Sequence, residues 1–124
     1  MKSKREKRCE DRIDEELRGR IEDFSQAMKS ADHNDGKVIN EDGYSYEDMV
    51  EWINAYALSF GDDPTFRAKR LELSWGGPQD YFLFFDNGDI EYHFLDWFDG
   101  AKRRLDGADY TLMREFYDEV LNFG

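Results

Sequence analysis

Apolar positions recur along this chain in two rhythms. Between Glu10 and Ala31, Ile13, Leu17, Ile21, Phe24, Met28 and Ala31 return every three or four residues, which predicts a single amphipathic helix. Arg12–Glu16, Asp14–Arg18 and Glu16–Arg20 stand at i,i+4 along it. Ser45, with Asp48 three residues on, predicts the start of a second helix. Met49, Ile53, Tyr56 and Phe60 form its inward stripe, flanked by Val50, Trp52 and Ala57, and Gly61 and Pro64 stop it. From Leu71 the period changes to two. Leu71, Leu73 and Trp75 alternate with Glu72 and Ser74, and two aromatic-rich runs follow on either side of Asn87-Gly88. Ala101 to Leu105 reads as a fourth, basic edge strand. Asp109 then caps a last helix from Tyr110 to Asn122, with Leu112, Met113, Phe116, Tyr117, Val120 and Leu121 as its buried face.

The Asn-Gly pair predicts a two-residue type I′ hairpin, which sets a register. Phe85 then faces Ile90, Leu83 faces Tyr92 and Tyr81 faces Phe94, placing six large apolar side chains on one side. Phe82 and Phe84 fall on the other side, opposite His93 and Glu91, and require cover from a helix or a partner. In the preceding hairpin a four-residue loop would set Leu73 against Phe82, on the wrong face. A five-residue loop, Gly76 to Asp80, pairs Trp75 with Tyr81 and Leu73 with Leu83. The expected fold class is α+β: two N-terminal helices, an antiparallel meander of three to four strands, and a C-terminal helix. Residues 1–9 read as a basic flexible N-terminal tail and 10–124 as a single domain.

Composition sharpens this. Aromatic residues make up 16% of the 124 positions, enough core material to argue against disorder despite 37% charged residues. No apolar run is long enough to span a membrane, and the basic start lacks the apolar segment of a signal peptide. One cysteine, Cys9, excludes an internal disulfide, so the expected location is cytoplasmic.

The net charge of −12 is unevenly spread. Residues 1–8 hold five bases and one acid, whereas Ser30 to Phe66 holds nine acids and only Lys37. Leu71 to Ala101 holds seven acids and no base.

Specific chemistry is sparse. Asp32 to Gly43 looks like a calcium loop. With Gly36 as the sixth residue, however, the first ligand position falls on Ala31 and the twelfth on Asp42, leaving the ion short of oxygens. The segment reads as a turn with a short extended piece, Lys37 to Asn40. His33 and His93 lie in different elements without ligand spacing, and His93 reads as a packing residue opposite Phe82. Asp86 and Asp89 flank the Asn-Gly turn opposite each other. Cys9 falls in a charged, frayed helix start. No nucleophile setting and no phosphate loop is legible, so no cofactor, no metal and no catalytic residue is expected.

In size and charge the chain resembles, in general character, small acidic inhibitors: phage DNA-mimic anti-restriction and anti-CRISPR proteins, and nuclease-immunity proteins. That likeness implies a non-catalytic protein that presents carboxylates to the basic surface of a nucleic-acid-binding protein or nuclease. The alternatives are an immunity-type or general acidic interaction module and, last, an enzyme. The expected partner-binding residues are Asp42, Glu47, Asp48, Glu51, Asp62, Asp63, Phe82, Phe84 and Glu91. No direct nucleic-acid or membrane binding is expected, and the chain is expected to be a monomer or weak dimer.

Overall fold

The ring of Phe24 is the point where the layers of this protein meet. The computed structural model describes residues 8–122. Helix α1, Cys9–His33, is followed by a two-stranded ribbon, β1 Val38–Ile39 and β2 Ser45–Tyr46, and by α2, Met49–Tyr56. Five strands come next: β3 Ser59–Asp62, β4 Ala68–Ser74, β5 Gln79–Phe85, β6 Ile90–Asp96 and β7 Asp99–Arg104. They form one antiparallel sheet in chain order. Helix α3, Gly107–Phe116, closes the chain and continues as a π-helical turn, Tyr117–Leu121. The fold is α+β, as expected, with a long first helix, a short second one, a main sheet of five strands where three to four were expected, and a separate two-stranded ribbon.

Phe24 in α1 makes edge-to-face contacts with Trp52 and Tyr56 of α2, Phe82 of β5 and Phe116 of α3, at centroid distances of 5.3, 5.5, 5.9 and 4.8 Å. Each such pair adds about 0.5–1.5 kcal/mol beyond its area burial. Around it the main core joins Ile13, Leu17 and Ile21 of α1 to Leu71, Leu73, Phe84, Ile90, Tyr92 and Phe94 of the sheet. The stripe that predicts α1 is the stripe that is buried, except that Ala27 lies deeper than Met28 and Ala31. Cys9 is not frayed but buried, its N–H donating to Asp99 Oδ2 at 2.7 Å. The rest of the basic start, residues 1–7, lies outside the described residues.

The β5–β6 hairpin departs from expectation. The N–H of Gly88 donates to Phe85 O and that of Phe85 to Asp89 O, both at 2.9 Å. Gly88 has φ +100°, and Asn87 is not among the residues of positive φ. This is a three-residue loop, Asp86 to Gly88, in which a turn is completed by a left-handed glycine at a bulge. Phe82 therefore faces Tyr92, Phe84 faces Ile90, and Leu83 faces Glu91.

A slip of one residue exchanges the faces of a strand. Phe82 and Phe84 join Ile90, Tyr92 and Phe94 beneath the helices, while Tyr81, Leu83 and Phe85 form a smaller cluster on the outer face with Ala68 and Leu95. Asp86 accordingly sits in the loop rather than opposite Asp89. Between β4 and β5 the pairs are Leu71–Phe82 and Glu72–Tyr81, then Ser74–Asp80 after a bulge. The link is Trp75 to Pro78, and Trp75 points into solvent instead of pairing with Tyr81.

The second helix starts later and ends earlier than its pattern predicts. Ser45 pairs in the ribbon with Ile39, and Asp48 is the N-cap, its carboxylate accepting from Glu51 N–H at 2.9 Å. The backbone turns extended at Ala57, and the stretch holding Phe60 and Gly61 pairs with β4 as an edge strand. Sheet pairing satisfies that stretch's backbone on one side, which a glycine-weakened helix end does less well. Asp106, not Asp109, occupies the N-cap of α3. Asp109 instead accepts from Nη1 and Nη2 of Arg18, at 3.2 and 2.6 Å.

Candidate functional site

The surface around the ribbon and α2 gathers carboxylates that form no ion pair among the described residues. Asn40 Oδ1 accepts the N–H groups of Asp42 and Tyr44, each at 3.1 Å, and so holds the tight turn that exposes Glu41 and Asp42. Two residues past the turn, Glu47 and Asp48 lead into α2, with Glu51 in its first turn. Negative charge at that end of a helix is favoured by the exposed N–H groups. Among the described residues, Asp32, Asp35, Glu41, Asp42, Glu47, Asp48 and Glu51 form no ion pair.

Most of the described arginines are committed elsewhere, while Lys29 and Lys37 form no ion pair among the described residues. Arg12 holds Asp96, Arg20 holds Asp80, Arg70 holds Asp63 and Glu72, and Arg103 holds Glu10 and Asp14. The pairs of Arg12, Arg20 and Arg103 are long-range, stand in place of the i,i+4 pairs read from the sequence of α1, and fasten α1 to the sheet.

The expected partner-binding residues are thereby sorted. Asp42, Glu47, Asp48 and Glu51 share this exposed surface, although Asp48 and Glu51 also hold the start of α2 together: Glu51 Oε1 accepts from Glu47 N–H at 2.7 Å. Asp62, exposed on β3, is paired with Lys69 at 2.5 Å. Asp63 is buried, accepting from the N–H groups of Thr65 and Phe66 and from Arg70 Nε. Those hydrogen bonds and the Arg70 charge hold its pKa below the usual carboxylate value, against the opposing effect of burial. Glu91 lies half-buried on the outer sheet face beside His93. Phe82 and Phe84 are 0% and 1% exposed, covered by α1 and by Tyr117, which stacks on Phe84 at 4.5 Å. They are core residues and offer no surface.

A cleft of about 230 Å³ lies between α1, the ribbon and α2, floored by Ala27 and Val38 and edged by Asp23, Glu41, Trp52 and Tyr56. The Tyr56 hydroxyl donates to Asp23 Oδ2 at 2.5 Å and accepts from Arg20 Nη1 at 2.9 Å. Burial, then the Asp23 carboxylate, push the phenol far above its usual range. The tyrosine is thus held protonated as a strut between the helices.

The outer sheet face carries a stack across three strands. Arg70 lies 4.0 Å over the ring of Tyr81, and Tyr81 stacks on His93 at 5.0 Å and 12°. His93 faces Tyr81 rather than Phe82, a consequence of the shifted register. Burial lowers its pKa, and the Glu91 carboxylate, 2.9 Å from Nε2, works in the other direction.

Sequence reasoning missed a second surface. At the end of the sheet where β4 meets β5 and β6 meets β7, the loops expose Trp75, Trp97 and Phe98. The signal for the last two is the adjacency of Trp97 and Phe98, which cannot both turn inward from an extended chain.

Among the described residues no group of three or more His, Cys, Asp and Glu is placed to hold a metal ion. No described helix is long and apolar enough to cross a membrane. Comparison with protein-family models, with curated proteins and with solved structures finds no match in any of the three.

Proposed function

We propose that this protein acts without catalysis, as an acidic ligand for the lysine- and arginine-rich surface of a nucleic-acid-binding protein or nuclease. The observation that carries the reading is the separation of charge. Arg12, Arg20, Arg70 and Arg103 are tied into ion pairs along α1, β4 and β7, and the carboxylates from Asp32 to Glu51, with Lys37 the one base in that stretch, are left without ion pairs among the described residues. Carboxylates on such a surface compete for the cations that otherwise hold phosphates, and the attraction is screened by salt.

Affinity capture from a host lysate, followed by elution with duplex DNA or salt, tests the reading. Glu41, Asp42 and Glu47 are the residues to reverse to lysine, because Asp48 and Glu51 also cap α2 and their loss would confound folding with binding. The expected result is capture of nucleic-acid-binding proteins, released by DNA and lost in the triple reversal. Capture that is indifferent to DNA, to salt and to the reversal would leave these carboxylates as solvated surface and overturn the proposal.

A further inference from the structure

The cleft between α1, the ribbon and α2 holds a hydrogen-bond donor with nothing to bond. Trp52 is 7% exposed, and its indole N–H is the one polar group of the side chain. That N–H donates to no atom among the described residues, whereas every fully buried side-chain nitrogen and oxygen there has a partner. It therefore opens on the cleft that Trp52 lines. Asn40, also in the lining, commits Oδ1 to the N–H groups of Asp42 and Tyr44, and its amide NH2 has no partner among the described residues. Asp23 accepts from the Tyr56 hydroxyl through Oδ2 alone, and neither Asp23 nor Glu41 forms an ion pair among the described residues. One small cavity thus combines an apolar floor, two carboxylates and two unsatisfied N–H donors, and buried polar groups of this kind call for partners.

These groups select the occupant. The lining contains no base. Arg20 meets the Tyr56 hydroxyl at 2.9 Å, but its charge is held by Asp80 through Nε and Nη2. Lys29 and Lys37 are the other bases nearest in the chain, and Glu22, Asp42 and Glu51 each adjoin a lining residue. With all of these counted the balance stays negative. Lys2, Lys4, Arg5 and Lys7 precede the far end of α1, where Cys9 lies about 21 Å from Asp23 at 1.5 Å per residue. At about 230 Å³ the cleft is smaller than the roughly 300–1,000 Å³ of pockets that hold whole small molecules, and it suits a single side chain. A cation on an apolar stem, with a carbonyl beside it to accept from Trp52, is a basic residue within a peptide. The planar guanidinium of arginine serves two carboxylates on different elements better than a strongly hydrated ammonium does.

We infer that this cleft is the receptor for one arginine of the basic partner, an inference that rests on the proposed function above. The arginine stem lies on Ala27, Val38 and Ile39, its guanidinium donates to Asp23 Oδ1 and to Glu41, and the Trp52 N–H donates to the adjoining peptide carbonyl. The wider carboxylate surface then steers the partner, and the cleft fixes which residue docks.

A glycine–arginine–glycine peptide with blocked ends is the probe, and the same peptide with citrulline, equal in shape and uncharged, is the control. The chain has three tryptophans, so three indole N–H signals appear in a proton–nitrogen NMR spectrum, and Trp52→Phe assigns that of Trp52. The inference predicts a saturable shift of the Trp52 signal with the arginine peptide, while those of Trp75 and Trp97 stay in place. Affinity is expected to fall about tenfold or more with citrulline and in Asp23→Asn, which keeps an acceptor for the Tyr56 hydroxyl. An unmoved Trp52 signal, an equal response to citrulline, or an unchanged affinity in Asp23→Asn overturns it. So does a Trp52 signal that moves when Lys2, Lys4, Arg5 and Lys7 are replaced by serine, because the occupant would then be the chain's own start. If the peptide fails while capture of nucleic-acid-binding proteins still depends on Glu41, Asp42 and Glu47, this inference falls and the proposed function stands. Arginine-specific binding without such capture would support the cleft and overturn the wider reading.

Discussion

The guanidinium of Arg20 on α1 grips the buried carboxylate of Asp80 on β5, Nε to Oδ2 at 2.7 Å and Nη2 to Oδ1 at 2.9 Å. The same carboxylate accepts from the Tyr92 hydroxyl and from Ser74 Oγ, both at 2.5 Å, so a charge inside the sheet is fully provided with partners.

Removing one side of this pair strands the other. Arg20→Met is expected to cost about 3–5 kcal/mol in denaturant unfolding, and Arg20→Met/Asp80→Asn less than the single change, because the double variant no longer buries a lone carboxylate. A single variant within about 1 kcal/mol of the wild type would show the pair to be energetically incidental.

The β5–β6 turn distinguishes its two positions. Gly88, at φ +100°, is expected to lose about 1–2 kcal/mol on replacement by alanine, whereas Asn87→Ala, at a position that is not left-handed, loses only the exposed bond in which Asn87 Oδ1 accepts from Asp89 N–H at 2.9 Å, about 0.5 kcal/mol. Backbone NMR contacts should place Phe82 opposite Tyr92. Contacts of Leu83 with Tyr92 would restore the type I′ register.

Trp97 predicts a gain. Trp97→Gly relieves the left-handed strain of φ +59° and removes little buried area, so thermal unfolding is expected at a higher temperature, by an amount equivalent to about 1 kcal/mol. A fall in stability would mean that the indole contributes to folding.

His93 gives a pH dependence. Its folded pKa lies below the unfolded value, about 6.5, so the unfolded chain binds the additional proton first. The contribution is complete above that value and is lost as the pH falls through the folded pKa. Asp63, also lowered, loses its contribution in the same direction at more acidic pH. His93→Gln should flatten the stability profile just below neutrality. An unchanged slope would assign the acid sensitivity to the carboxylates.

What the sequence by itself determined is local. The three- and four-residue stripe of α1 is buried as it reads, the period of two from Leu71 marks strands, and the surplus of acids between Ser30 and Phe66 is a property of composition alone. What only the tertiary structure decided is which neighbour each element met. Asn87-Gly88 is compatible with a two-residue turn and with a three-residue one. The choice fell to Phe82 and Phe84, which gain cover from Phe24 and Tyr117 in one register and not in the other. The arginines of α1 had local partners at i,i+4 worth a few tenths of a kcal/mol, and the fold gave them carboxylates on β5, β6 and α3 instead. That exchange committed the α1 arginines away from the α2 surface, where carboxylates outnumber bases, and the order of the strands put the loops of Trp75 and Trp97 side by side. Neither surface is written in any one segment, because each depends on which strand lies next to which.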